Sequence, residues 1–153
     1  MTAFRSLLAS ALCSALLAAA SARAQDLYPV DDLGITAPAT AAAAGANEIS
    51  VVQSGALLTA TVEQTGANAA TLMQTGSAQV ATLEQAGFMN RADIEQSGSA
   101  NRATVSQNGS LNDAALTQAG NGNVATIMQV GIGLQATITQ VGDGNVAAVN
   151  QEQ

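Results

Sequence analysis

The sequence predicts an all-β protein, a β-solenoid of about five two-strand turns whose strands stack in cross-β fashion. Three features of residues 47–151 predict it. Glutamine recurs at intervals of eleven residues, glycine follows two places later, and side chains of one kind occupy alternate positions between successive glutamines. A fixed period indicates a stack of similar structural units, and alternation with a period of two is the pattern of a β-strand.

The repeat unit has the consensus Q-x-G-x-x-N-x-A-x-h-x-Q, where h is Val, Ile or Leu. Nine intervals separate its ten glutamines; eight are eleven residues long and one, from Gln64 to Gln74, is ten. We predict that the short unit has lost its residue from the arc at 65–67 and not from the strand. Glycine tolerates the backbone angles of a tight reversal, and the predicted arc glycines are Gly55, Gly66, Gly76, Gly87, Gly98, Gly109, Gly120, Gly131 and Gly142.

An eleven-residue period also marks right-handed helical supercoils, so the spacing of residues within a unit has to distinguish helix from strand. Asn101, Ala103, Val105 and Gln107 are two residues apart, which places all four on one face of a strand and scatters them around a helix. A glycine in every unit would cost about 1 kcal/mol each in a helix interior. We therefore predict strands of about seven residues joined by arcs of about four, with two units per turn and about 4.8 Å between stacked strands.

The inward face of each predicted strand carries an Ala, an aliphatic residue and amides. A buried polar group has to be hydrogen-bonded. A primary amide can donate to the copy on one side and accept from the copy on the other, whereas carboxylates repel their copies and hydroxyls are too short. The predicted amide ladder comprises Gln53, Gln64, Gln74, Gln85, Gln96, Gln107, Gln118, Gln129, Gln140 and Gln151, with Asn47, Asn68, Gln79, Asn90, Asn101, Asn112, Asn123 and Asn145 opening the strands. Leu58 and Leu134 replace the opening amide in the second and ninth strands.

The outward positions are predicted to be ordinary solvated faces. Thr61, Thr82, Thr104 and Thr126 form one outward column, and charged residues such as Arg91 are scattered among them. None of these charges is assigned a binding role.

The first 46 residues differ from the repeat. Residues 1–24 have the pattern of a secretory signal peptide, with Arg5 before an apolar run and small residues at the two cleavage positions, Ala22 and Ala24. Residues 25–46 contain both prolines and end in an alanine-rich run, which predicts a flexible acidic and alanine-rich leader. The predicted organisation is therefore a signal peptide at 1–24, a leader at 25–46 and a repeat solenoid at 47–151, in a secreted protein.

The composition excludes most kinds of catalytic site, metal site and disulfide. The chain has no His, Trp or Lys, and its one Cys, Cys13, lies in the predicted signal peptide. No acid, base and nucleophile converge, so we predict no enzyme, no cofactor, no metal and no disulfide. After cleavage two Arg remain against eleven acids, a net charge of −9, which argues against nucleic-acid binding. Only Asp143 lies in an arc, so the spacing also disfavours a calcium-binding repeat.

The motif Gln85-x-Gly87-x-x-Asn90-x-Ala92-x-x-x-Gln96 resembles the curlin repeat of bacterial curli fibres. The units at 96–107, 107–118, 118–129 and 140–151 resemble it equally. Three units depart at the Asn position, where they have Leu58, Gln79 and Leu134, and the unit at 64–74 is one residue short. The resemblance covers residues 47–151.

The resemblance implies a secreted functional amyloid on the bacterial cell surface, a curli fimbria that serves adhesion, aggregation and biofilm matrix. It implies self-association into fibres and, as partners, the other curlin subunit, the outer-membrane export pore with its accessory factors, and host or matrix surfaces. Segments such as "NRADIEQSGSAN" and "NDAALTQAG" look more like the minor, nucleating subunit than the major one. The leader would correspond to the segment that engages the export pore.

The residues themselves also favour a polymer. Five turns bury little apolar area for the ordering of about 100 residues, the last strands are nearly uncharged, and we expect no cap at either end. Two alternatives remain. A disordered Gln- and Asn-rich segment predicts irregular spacing, and a monomeric secreted β-solenoid with a face for ice or polysaccharide requires paired Thr ranks on one sheet.

Overall fold

The computed structural model describes residues 12–15, 39–41 and 47–153 of the 153-residue chain. Its strands are β1 Leu12–Ala15, β2 Ala39–Ala41, β3 Glu48–Ala56, β4 Thr59–Ser77, β5 Val80–Ser99, β6 Arg102–Ser110, β7 Asp113–Asn121, β8 Val124–Ile132, β9 Gln135–Val141 and β10 Val146–Glu152. Among these residues no helix is long and apolar enough to cross a membrane.

The strands form two parallel, in-register stacks that face each other. The first sheet contains β3, residues 69–77 of β4, residues 91–99 of β5, β7 and β9. The second contains residues 59–67 of β4, residues 80–88 of β5, β6, β8 and β10. Each sheet has five members from the repeat, so two units make one turn. The predicted fold, a β-solenoid of about five turns, is confirmed.

The core lies between the two sheets and repeats in every turn. The Ala column and the aliphatic column pair residue for residue across successive turns, as in Ala81, Ala103 and Ala125, or Leu83, Val105 and Ile127. These side chains are buried from Ile49 to Ile138, and only Ala147 and Val149 of the last strand are partly buried. The alternation read from the sequence is therefore the inside–outside alternation of the strands.

The reversals lie two residues later than the arc glycines. The strands continue through every repeat glycine except Gly142, so that Gly87 pairs with Gly109 inside the ladder. The chain turns at the residue before the strand-opening position, which is an amide except at Leu58 and Leu134. This turn residue has a φ between 54° and 70° and is Leu57, Ala78, Met89, Ala100, Leu111, Gly122, Gly133 or Gly144. Five of these eight are not glycine, although the left-handed conformation costs a non-glycine residue about 1–2 kcal/mol.

The ten-residue unit lacks this turn residue. The pairing between β4 and β5 shifts between Ala67 and Ala69, where two residue steps in β4 match three in β5, from Phe88 to Arg91. Asn68 follows Ala67 directly, at the point where β5 has both Met89 and Asn90. The deletion therefore falls in the arc and leaves the strand complete, as the sequence predicts.

The N-terminal end of the solenoid is covered by short strands. β2 pairs antiparallel with residues 49–51 of β3, on the outer edge of the first sheet. β1 pairs parallel with residues 59–62 of β4, on the outer edge of the second sheet. The expectation that neither end is capped is therefore wrong for the N-terminal end. β2 lies in the predicted leader and β1 in the predicted signal peptide; the cleavage residues Ala22 and Ala24 lie outside the described residues.

Candidate functional site

The glutamines form two continuous columns inside the solenoid. In every turn but the last, each Nε2 donates to the Oε1 of the glutamine one turn further along the chain, at 2.5 to 2.9 Å. All members are buried except Gln151, which is partly buried in the last strand. One column is Gln53, Gln74, Gln96, Gln118 and Gln140; the other is Gln64, Gln85, Gln107, Gln129 and Gln151.

The second amide hydrogen of these glutamines joins the two sheets. Gln96 Nε2 also donates to the backbone oxygen of Val80 at 3.2 Å, and Gln107 Nε2 to that of Arg91 at 2.9 Å. The same bond occurs at Gln74, Gln85, Gln118, Gln129, Gln140 and Gln151. Sequence reasoning considered the stacking direction and missed this one. The signal is the second N–H of a primary amide, which a buried site has to satisfy.

The opening asparagines bind the backbone more than one another. Asn101 Oδ1 accepts the backbone N–H of Asn123, one turn later, at 3.0 Å. Asn101 Nδ2 donates to the backbone oxygens of Ser97 and Gly120, both at 2.9 Å. Direct hydrogen bonds between side-chain amides join the pairs Asn47–Asn68, Asn68–Asn90 and Asn123–Asn145. The asparagine column therefore holds the arcs in place, a different role from the uniform ladder of the glutamines.

The exceptions in the asparagine columns have separate explanations. Leu58 and Leu134 are terminal members, the first in the second sheet and the last in the first sheet. Gln79 is internal. Its Nε2 donates to the backbone oxygens of Thr75 and Gly98, at 2.8 and 3.0 Å, but its buried Oε1 has no partner among the described residues. The side chain of Gln79 is longer than that of Asn and still reaches the arc carbonyls. Its oxygen, however, does not lie where the Asn oxygen accepts the backbone N–H of the next turn.

The repeat glycines form columns because successive backbones approach closely. A Cβ on Gly98 would lie 2.1 Å from the backbone oxygen of Gly120, and one on Gly87 would lie 1.8 Å from that of Gly109. Their φ values, 104° and 113°, are also unfavourable for other residues. From Gly55 to Gly120, each repeat glycine is thus required by its own copy one turn later, a steric cause that the sequence alone does not disclose.

The two ends of the glutamine columns are complementary. At the C-terminal end, Gln140 and Gln151 keep their bonds across the sheets, and in the described chain no further amide follows them to accept from Nε2. At the N-terminal end, the buried Oε1 of Gln64 accepts no hydrogen bond from any described residue. One end therefore presents amide donors and the other presents amide acceptors.

The described charges lie on the outward faces, apart from Asp143 in the last arc. Arg91 pairs with Asp93 at 2.7 Å, and the hydrogen bond and charge of Asp93, with a smaller contribution from Asp113, raise the pKa of the Arg91 guanidinium. Thr61, Thr82, Thr104 and Thr126 stack in register. Residues 47–153 and the two short strands contain no group of three or more Cys, Asp or Glu that could hold a metal ion.

The family comparison agrees with these columns. The family model described as Curlin associated repeat matches residues 67–98, 89–120, 98–131 and 112–142, which together run from the second turn of the solenoid to β9, the first strand of the last turn. No curated protein and no solved structure matches the chain.

Proposed function

Since this chain belongs to the curlin repeat family, we propose that it is secreted and assembles, end to end, into curli-type amyloid fibres on the bacterial cell surface. It is a structural fibre subunit and not an enzyme. The fibre serves adhesion, aggregation and biofilm matrix. Its partners are further copies of itself, a second curlin subunit, an outer-membrane export pore with accessory factors, and the surfaces to which the fibre adheres.

The observation that carries the proposal is that the glutamine amides are fully hydrogen-bonded inside the columns but not at the column ends. Internal members both donate and accept, whereas the buried Gln64 Oε1 lacks a donor among the described residues. An unsatisfied buried polar group costs about 1–3 kcal/mol. Stacking one copy on another would bring Gln151 Nε2 to Gln64 Oε1 and Gln140 Nε2 to Gln53, which removes that cost.

The strand pattern supports the same junction. The last described strand, β10, belongs to the second sheet, and the first strand of the repeat, β3, belongs to the first sheet. A second copy placed after β10 would therefore continue the alternation, with its residues 47–53 stacked on 134–140 and its residues 58–64 on 145–151. Exposed parallel edges of this kind template the addition of further strands.

The short N-terminal strands set a condition on this growth. β1 lies in the predicted signal peptide, so cleavage would free the edge at residues 59–62. β2 would remain and would have to leave residues 49–51 before another copy adds there. Because β2 contributes three residue pairs and each junction strand about seven, displacement favours the copy. We expect growth to be faster at the C-terminal end, where no described segment covers β9 and β10.

The proposal is tested with purified residues 25–153. We expect fibres that bind thioflavin and give a meridional reflection at about 4.7 Å, the spacing of stacked strands. A protein that stays monomeric for days at neutral pH would contradict the proposal and would favour a monomeric solenoid.

Within the fibre, we propose a role closer to the minor, nucleating subunit. The support is the nearly uninterrupted eleven-residue spacing and the segments "NRADIEQSGSAN" and "NDAALTQAG". A nucleator added at a low molar ratio shortens the lag of the major subunit. An unchanged lag, with this chain still forming its own fibres, would instead assign it to the bulk of the fibre.

A further inference from the structure

One edge of the solenoid exposes large apolar side chains. The arcs that lead from the second sheet to the first carry Phe88, Met89, Leu111 and Ile132, with exposed fractions of 63%, 72%, 56% and 67%. Phe88 and Ile132 stand in one register column, with Ser110 between them. We call these four residues the apolar ridge. It runs along the solenoid over three successive turns.

The opposite edge has no such run although it is built from the same repeat: its large exposed apolar residues are Leu57 in the first turn and Val141 in the last. Its arcs carry Ser99, Asn121 and Asp143 in one column. Ser99 Oγ hydrogen-bonds Asn121 Oδ1 at 2.5 Å, and the Asn121 backbone N–H donates to Asp143 Oδ1 at 2.8 Å. The apolar ridge is therefore no consequence of the repeat. It is a property of one edge.

The backbone makes the ridge more unusual. Met89 and Leu111 occupy the turn position with φ of 58° and 59°, and the equivalent residue of the next turn is Gly133. Glycine would fit both places better. Large apolar side chains that are both exposed and held in an unfavourable conformation indicate a function for those side chains.

The charges beside the ridge identify a suitable partner. Glu84 precedes the ridge on the second sheet and Arg91 follows it on the first, and both are exposed. If a second solenoid is turned by 180° about an axis parallel to the stack, its first sheet lies beside the second sheet of the original. Each Glu84 then faces the Arg91 of the other copy, so the contact is self-complementary.

We propose that the apolar ridge is a lateral interface with a second copy of this chain, so that two solenoid fibres run side by side with the same polarity. This inference rests on the proposed fibre function. Four side chains form a small contact for one chain, but the contact recurs in every subunit along both fibres, and linked contacts add. Pairing is therefore expected between fibres and not between monomers.

The test replaces the four residues of the apolar ridge with residues that still allow the strands to stack. The variant Phe88→Ser, Met89→Gly, Leu111→Gly and Ile132→Ser uses residues that the same columns already contain, at Ser110 and Gly133. We expect it to form fibres whose mass per length, measured by dark-field electron microscopy, is half that of the wild type. The matched control is Leu57→Gly, an equally exposed apolar residue at φ 58° on the opposite edge, which should leave the mass per length unchanged.

Charge reversal tests the orientation. Glu84→Arg should lower the proportion of paired fibres, and adding Arg91→Glu should restore it. Wild-type fibres with the mass per length of one solenoid would overturn the lateral interface alone. A wild type that forms no fibres would overturn the proposed function, and the interface with it.

Discussion

The inward and outward positions of a single strand follow different rules. In β6 the inward residues Ala103, Val105 and Gln107 have the same kind of residue on both sides in the stack. Of the outward residues, Arg102 stacks between Val80 and Val124, and Ser106 between Glu84 and Met128. The inward side chains are constrained by their own copies, whereas these outward ones contact solvent and vary. Thr104, which stacks between Thr82 and Thr126, is the outward exception in this strand.

The difference shows what the repeat selects for. A glutamine is kept because its neighbour in the column is a glutamine that needs both a donor and an acceptor. A repeat glycine is kept because the next backbone occupies the space of a Cβ. Paired substitutions, one at a position that contacts its own copy and one at a position that does not, can test this distinction directly.

The largest effect is expected for the glycine column. Gly98→Ala places a Cβ within 2.1 Å of the Gly120 backbone oxygen, whereas Gly122→Ala meets nothing within 4 Å. We expect Gly98→Ala to destabilise the solenoid by more than about 4 kcal/mol and to abolish fibre formation. Gly122→Ala should cost about 1 kcal/mol, since Ala100 already adopts this turn conformation. Thioflavin kinetics and the denaturant midpoint of preformed fibres measure both; equal effects would refute the steric explanation.

A smaller but still large effect is expected for the glutamine columns. Gln96→Glu would place carboxylate oxygens against Gln118 Oε1 and the Val80 backbone oxygen, both of which accept hydrogen bonds from Gln96 in the wild type. We expect a cost on the order of 3 kcal/mol at pH 7 and a lag at least about tenfold longer, with a similar result for Gln107→Glu. Glu95→Gln, on the outward side of the same strand, should not lengthen the lag.

The Gln96→Glu variant should also depend on pH. Burial among acceptors raises the pKa of the introduced carboxyl above its ordinary value of about 4.3. A raised folded-state pKa means that the structure is favoured below the unfolded-state pKa and loses that stability as pH rises through the folded-state pKa. Assembly should therefore recover partly near pH 4. A lag that is equally long at both pH values would argue against a buried carboxylate at this position.

The smallest effect is expected at Gln79, whose side-chain oxygen is unsatisfied in its column. Gln79→Asn would place an Oδ1 where it can accept the backbone N–H of Asn101, as Asn101 does for Asn123. We expect a gain of about 1 kcal/mol, seen as a higher denaturant midpoint. The outward control Ser106→Asn should leave the midpoint unchanged. A lower midpoint for Gln79→Asn would show that the hydrogen bonds of Gln79 to Thr75 and Gly98 stabilise the solenoid more than a newly satisfied oxygen would.

The sequence predicts the solenoid well because its periodicity is set by inward contacts that repeat in every turn. It also places the missing residue of the short unit in an arc. It does not separate the roles of Asn101 and Gln107, because both are amides and only the folded structure shows which carbonyl each reaches. The turn at Leu111 and Met89 is also hidden, since neither residue type favours a positive φ. β1 and β2 pair with the repeat outside its period, so the pattern gives no sign of them.

The central claim is that one copy continues the stack of another in register. It is tested most directly by disulfide trapping, because the predicted mature chain has no Cys. Thr59 and Val146 are the first and last members of one outward column, linked through Val80, Arg102 and Val124. Within one chain they lie four strand spacings apart, about 19 Å, but across the proposed junction they become neighbours at about 4.8 Å, within reach of a disulfide.

We expect fibres of the Thr59→Cys and Val146→Cys double variant to oxidise into covalent oligomers of many chains. Each single variant should give dimers at most, and Thr59→Cys with Ala148→Cys, which is out of register, should cross-link poorly. Fibres of the in-register variant that remain monomeric on a non-reducing gel, or that cross-link no better than the out-of-register variant, would contradict end-to-end stacking.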